Sequence, residues 1–167
     1  MAENDSDSIN LNASEGRHFE FQRVYIKDLS FEVPSAPEVF RQELGIPKIK
    51  HHIQSFAKNL DDDLYEVSMS LTVSAKTTDE DRVIYLVEVV QAGIFVIKGY
   101  VQQERRYMIR SYCPNLLFPF AREVVAGMIQ RGSFPQLILP PINFDALYNE
   151  YERQQEQQES GMQANDI

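Results

Sequence analysis

Residues 112–151 read YCPNLLFPFAREVVAGMIQRGSFPQLILPPINFDALYNEY. Two apolar helices are predicted here, joined by a proline-rich connector that is itself apolar. The first runs from about Asn115 to Arg131. Gly132 is its C-terminal stop, and Arg131 complements the dipole in the last turn. Leu116, Leu117, Phe118, Phe120, Ala121, Val124, Val125, Met128 and Ile129 give it an apolar stripe wider than a helix lying on a single core needs. The second helix begins near Asn143 or Asp145, either a suitable cap, and repeats Phe144, Leu147, Tyr148 and Tyr151 at i, i+3, i+4 and i+7. Connectors are usually polar because they run over a wet surface. This one sets Phe134, Leu137, Ile138, Leu139 and Ile142 among Pro135, Pro140 and Pro141. It either packs into a core or lines a surface that binds apolar ligands.

Strands precede these helices. From Phe19 to Val33 the chain alternates. One face carries Phe19, Phe21, Tyr25, Leu29, Phe31 and Val33, interrupted by Arg23 and Lys27. The other carries Glu20, Gln22, Asp28, Ser30 and Glu32, with Val24 and Ile26 between them. Such alternation predicts a long strand with one buried face. Residues 65–75 alternate most cleanly, with Tyr65, Val67, Met69, Leu71, Val73 and Ala75 opposite Glu66, Ser68, Ser70, Thr72 and Ser74. A third strand is expected over residues 83–91, a bend or bulge at Ala92-Gly93, and a fourth strand over 94–101. The third is apolar on both faces, so something is expected to cover each: the helices on one side, a second subunit on the other.

Residues 34–63 show no clear period. Ser35-Ala-Pro-Glu38 resembles a capping box opening a short helix through Phe40 and Leu44. The remainder reads as a connection of about 30 residues, far above the usual loop length. Residues 1–17 are polar and acidic, a tail expected to be disordered. One domain is expected over residues 18–153, followed by a polar tail over 154–167.

The chain has 167 residues, one cysteine and a net charge of -9. That length suits one domain with a real core. The charge argues against nucleic-acid binding, which needs clustered Lys and Arg. It favours partners that are basic or unfolded. Cys113 alone excludes an internal disulfide. No apolar run approaches the ~20 residues that cross a bilayer, and the N-terminus is the reverse of a secretory signal. A reducing cytoplasm is the expected location.

No catalytic constellation emerges. Cys113 precedes a proline at a helix start and reads as a buried thiol. His51 and His52 are adjacent, which suits a solvated pair better than a metal site. Asp61, Asp62 and Asp63 lack calcium-loop spacing, and the glycines form no phosphate cradle. No enzyme activity, metal or cofactor is implied. What remains is apolar surface on an acidic scaffold, and an apolar trough between the long loop and the proline-rich connector would suit extended polypeptide. Phe40, Leu44, Ile46 and Phe56 of the loop, with Leu137, Phe144, Tyr148 and Tyr151, are the candidate groove.

The segments FEFQRVYIKDLSFEVPSAPEVF (19–40), YEVSMSLTVSA (65–75), VEVVQAGIF (87–95) and 112–151 resemble the SecB family of bacterial protein-export chaperones. The CPN-LLFP-ARE and RG-FPQL-L-P-NFDALY strings carry the most specific part of that likeness. The resemblance implies an α+β fold: a four-stranded antiparallel sheet with two main helices packed on one side and a long crossover loop. It implies a homotetramer, a dimer of dimers; the wide apolar stripe of the first helix and the two-faced third strand put Phe120, Val124 and Met128 at the expected tetramer interface. It also implies an ATP-independent chaperone that holds unfolded preproteins and delivers them to the motor ATPase SecA. The positions matching the family's docking site for SecA's basic, zinc-holding tail are Asp28, Glu32, Leu86 and Glu88. Any zinc would belong to that partner. The chain departs from the family in having no tryptophan in the loop, in the loop's basic character, and in Ala92 where a gln-gly-gly bend has its first glycine. A SecB-like chaperone serving a toxin–antitoxin pair is a second reading. A hot-dog acyl-thioesterase is a remote third, and it lacks its catalytic carboxylate here.

Overall fold

The computed structural model describes residues 16–163, with side chains to residue 158. The expected N-terminal tail up to residue 15 and the last four residues of the C-terminal one lie outside the described residues. Four antiparallel strands form one sheet in the order β1-β4-β3-β2. They are β1 (His18–Glu32), β2 (Lys48–Asp61), β3 (Leu64–Lys76) and β4 (Val83–Lys98).

The number of strands agrees with expectation, but two of them do not. β2 lies inside the segment that showed no period, so the crossover loop shrinks to residues 33–47. As an edge strand it is exposed along most of its length. Only Ile49 and Ile53 pack against the core, so little alternation is demanded. Conversely, residues 83–98 form one strand, not two. Gly93 does not bend it. A Cβ there would stand 2.8 Å from the rings of both Phe21 and Phe95 and 3.0 Å from the Arg23 carbonyl. Glycine is needed for close approach, a common reason for glycine within a strand.

The irregularity lies in β1. Its register against β4 slips between Phe21 and Arg23, and again between Ile26 and Asp28. Gln22 and Lys27 are therefore the extra residues of two bulges. Between them the faces exchange. Val24 and Ile26 join Phe19, Phe21, Leu29 and Phe31 on the helix side, while Arg23 and Tyr25 turn to the open face. This places Tyr25 opposite to the alternation reading and accounts for both interruptions in it.

The core lies between the sheet and one long helical segment. Val67, Met69, Leu71, Val73, Val87, Val89, Phe95 and Ile97 of β3 and β4 are fully buried. They meet Leu117, Ala121, Val125 and Ile129 of α2 (Cys113–Arg131). This segment starts earlier than the Asn115 expected. α1 (Gln102–Tyr107) leads through a π-helical turn (Met108–Tyr112) into α2. The sequence QQERR carries no apolar stripe, so its helix leaves no period to read. The π turn falls where Pro114 cannot donate to the ladder, and the Cys113 amide reaches back to the Met108 carbonyl instead.

α2 ends at Arg131 as expected, although Gly132 has a φ of -77° and Ser133 takes the positive φ. A Cβ on Gly132 would meet the Phe31 ring at 2.4 Å. The connector mostly joins the core: Leu139 is buried, Phe134 and Leu137 pack against it, and only Ile138 projects among these. The expected capping box is a single 3-10 turn, Glu38–Arg41, in which Ser35 donates to the Val83 carbonyl instead of capping. Asn143 caps α3 (Phe144–Gln163) by accepting from the Ala146 amide at 2.9 Å. That helix continues ten residues past the fading of its apolar repeat.

Candidate functional site

Three surfaces collect the residues singled out by sequence. The open face of the sheet gathers the acidic set. Cross-strand register pairs Glu32 with Leu86, Ser30 with Glu88, and Asp28 with Val90. Directly opposed residues stand about 5 Å apart, so Asp28, Glu32, Leu86 and Glu88 form one contiguous patch. Glu88 accepts a long 3.4 Å bond from the Thr72 hydroxyl. Next to this patch, Glu66 accepts from Lys27 Nζ at 2.5 Å and from the Tyr25 hydroxyl at 2.6 Å. Those two bonds, Lys27's first, hold the Glu66 carboxyl below its ordinary range. Burial, and then the Glu66 carboxylate, push the Tyr25 phenol up to about 12.

The far edge of the same face is basic. Lys48, Lys50, His52, Gln54, Phe56 and Lys58 of β2 pair with Lys76, Ser74, Thr72, Ser70, Ser68 and Glu66 of β3. The row Glu32–Leu86–Ser74–Lys50 thus crosses from acid to base within four strands.

On the helix side, the expected groove separates into two ends. Phe40 stacks on Phe134 at 5.4 Å, and Phe134 leans on Tyr85 at 5.0 Å. Leu44 and Leu137 are half-buried against the core. A second end opens between β2 and α3. It is a cleft of about 200 Å³ lined by Ile53, Ser55, Arg110, Phe144, Leu147, Tyr148 and Tyr151. Phe56 does not line this cleft: it pairs with Ser68 on the open-face side of β2, is 57% exposed, and borders only a separate hollow of about 280 Å³ with Ile109 and Arg110. Phe144 is 5% exposed and edge-on to Phe118 at 5.8 Å, so it supports the cleft more than it faces it. Ile46, 88% exposed, belongs to neither end.

Sequence reasoning missed Ile109 and Arg110, whose guanidinium sits 4.3 Å above the Tyr151 ring. They lie on the unforeseen π turn. α3 is fixed to that turn by Asp145. Its Oδ1 accepts from buried Ser111 at 2.6 Å and from Tyr107 at 2.9 Å, and these bonds lower its carboxyl pKa.

The third surface is the flank of α2. Phe120 meets Phe21 edge-on at 6.4 Å, and Gly132 lies against Phe31. α2 lies over β4 and β3 and reaches β1 at Phe21 and Phe31. Phe120 is exposed, Val124 and Met128 are half-buried against the core, and Val24, Ile26 and Leu29 of β1 are 40%, 47% and 36% exposed.

Burial pushes the Cys113 thiol up to about 12, which leaves it unreactive. Among the described residues no group of three His, Cys, Asp or Glu is placed to hold a metal ion, and no helix is long and apolar enough to cross a membrane.

The molecule is thus a helix-backed four-stranded antiparallel sheet with a charged open face and clefts lined in part by aromatic side chains. The chain belongs to the SecB family, the bacterial protein-export chaperones. The family model described as "Preprotein translocase subunit SecB" matches residues 12–157. The chain is 50% identical over 139 residues to the protein-export protein SecB of Alcanivorax borkumensis, covering 83% of this chain and 88% of that one. It is 43% identical over 162 residues to that of Nitrosococcus oceani, covering 96% of each. Among solved structures, a Mycobacterium tuberculosis SecB-like chaperone in complex with an antitoxin peptide superposes with a TM-score of 0.56. It is 14% identical and covers 74% of this chain and 90% of that one, which is a likeness of fold. The names of the relatives favour export over the toxin–antitoxin reading and leave the acyl-thioesterase reading without support.

Proposed function

We propose that this chain holds unfolded preproteins in the cytoplasm in an export-competent state, without nucleotide, and passes them to SecA. The observation that carries this reading is the cleft between β2 and α3. Its aromatic and aliphatic walls offer weak subsites to an extended chain, and Tyr148 is one of the residues that line it. Each apolar side chain buried there contributes roughly 1.5–3 kcal/mol before ordering costs. The four residues Asp28, Glu32, Leu86 and Glu88 dock the basic tail of SecA. A homotetramer, built as a dimer of dimers through the α2 flank, multiplies the subsites through effective concentration. The working domain spans residues 18–153.

Titrating an unfolded precursor, in the absence of nucleotide, into wild-type protein and into Tyr148→Ala tests the reading. The substitution weakens binding roughly tenfold, the equivalent of about 1.4 kcal/mol, and leaves the oligomer unchanged. Equal affinity for both proteins, repeated with Leu147→Ala, would make the cleft a packing feature only.

A further inference from the structure

In a chain of net charge -9, three of its lysines and both of its adjacent histidines fall within the single strand Lys48–Asp61. Lys48, Lys50, His52 and Lys58 share its open-face side. Residues two apart on a strand stand about 6.7 Å from each other, so the first three form an evenly spaced row in which the two lysines carry the charge. Among the described residues, Lys48, Lys50 and Lys58 have no carboxylate within 4 Å. The nearest counter-charges already serve other lysines: Asp81 pairs with Lys76 at 3.0 Å and Glu66 with Lys27.

The strand is also an edge. It pairs with β3 on one side only. Alternate residues therefore point backbone N–H and C=O groups outward, and no hydrogen bond from the described residues reaches that side of the strand. Such an edge templates another strand unless it is blunted. Lysines blunt it against neutral or basic segments. Toward an acidic segment the same lysines are attractive. On the opposite face, Ile49 and Ile53 lead into the cleft where Leu147 and Tyr151 stand.

We propose that β2 is a charge-selective augmentation site that takes an extended polypeptide segment alternating acidic and apolar residues. The segment adds as a fifth strand. Its carboxylates lie along Lys48, Lys50, His52 and Lys58, and its apolar residues point toward the β2–α3 cleft. The backbone contacts supply affinity and the lysine row supplies register and sign. Open main-chain groups beside the charges favour a polypeptide over a nucleic acid or an anionic membrane, neither of which uses them. The inference deepens the chaperone reading by naming a class of client segment, and it rests on that reading.

The test uses the full chain and fluorescent ten-residue peptides of alternating Glu-Val, of alternating Lys-Val, and of Glu-Val N-methylated at alternate residues. The Glu-Val peptide binds at least tenfold tighter than the other two. Lys50→Glu combined with Lys58→Gln removes that preference, and binding slows amide exchange in residues 48–61. A preference that survives the double substitution, or an N-methylated peptide that binds equally well, overturns the proposal. So does a phosphatidylserine vesicle or a DNA duplex that binds as tightly as Glu-Val with β2 exchange unchanged. An unfolded precursor of balanced charge is run alongside. If it binds and the Glu-Val peptide does not, only the augmentation site fails. If neither is held, the chaperone reading fails with it.

Discussion

The Ser111 hydroxyl donates to the Asp145 carboxylate across 2.6 Å, joining the π turn to the first turn of α3. One wall of the β2–α3 cleft is thereby set by a hydrogen bond between two helices, not by the sheet. Ser111 is buried and Asp145 is at the surface, so solvent reaches the acceptor but not the donor.

Ser111→Ala is expected to loosen α3 without unfolding the sheet. Amide exchange rises over residues 144–151 and stays constant in β3 and β4. The carboxyl of Asp145 is held below its ordinary 3.8 by Ser111 first and Tyr107 second. A depressed folded value means the contribution is present above the unfolded value and is lost as pH falls through the folded one. The wild-type cleft therefore keeps its α3 wall at neutral pH and loosens only in acid below about 3.8, as Ser111→Ala does at any pH.

Asp28→Ala with Glu88→Ala removes two carboxylates from the open-face patch and touches neither end of the helix-side groove. Binding of the SecA tail is expected to fall at least tenfold, while affinity for an unfolded precursor holds. Docking by this face should weaken steeply between low and physiological salt, because exposed charges are screened within about 8–10 Å. Wild-type tail affinity in the double variant, measured by calorimetry, places the docking face elsewhere.

Val124→Asp inserts a charge between Phe120 and Met128 on α2. Light scattering should show the tetramer reduced to a dimer at micromolar concentration, with circular dichroism unchanged. A wild-type chain that is itself monomeric would refute the assembly outright.

Gly93→Ala drives a methyl into the rings of Phe21 and Phe95, and into the Arg23 carbonyl, which cannot swing aside as a side chain can. Overpacking of this kind costs about 1–3 kcal/mol. The melting temperature should drop by roughly 5 °C, whereas Gly127→Ala, where a Cβ meets nothing within 4 Å, should leave it level or raise it.

What could be read from the sequence followed burial. β3 and the body of α2 have one face pressed into the core, and their periods were plain. β2 was not legible because an edge with both faces largely wet is free of alternation. The QQERR helix was hidden for the same reason. Parity paired Asp28 with Glu32 on one strand and Leu86 with Glu88 on another, but it was the family resemblance that set the four together, since nothing in the periods says that the first and last strands are neighbours. The groove was only half readable. Tyr148 and Tyr151 share a helical face, but their partners Ile109 and Arg110 lie on a turn whose geometry comes from Pro114. Phe40 was placed with them on composition, whereas its ring belongs to Phe134 and Tyr85.

The two bulges of β1 behave like a frameshift and its suppressor. Gln22 shifts the phase of the strand, and Lys27 restores it five residues later. Phe19 and Phe21 before the pair, and Leu29 and Phe31 after it, remain on the helix side. Asp28 and Glu32 remain on the open face. Only the stretch between is read in the other phase, which sends Val24 and Ile26 to the helix side and Tyr25 to Glu66. Deleting Gln22 or Lys27 would remove a residue that has no partner on β4 and leave every other side chain of β1 on its present face. Flattening a bulge with its residue kept is different. Flattening one would invert the strand from that point on, and flattening both would exchange only Arg23 to Ile26. The strand thus tolerates losing its extra residues better than losing the kinks that absorb them.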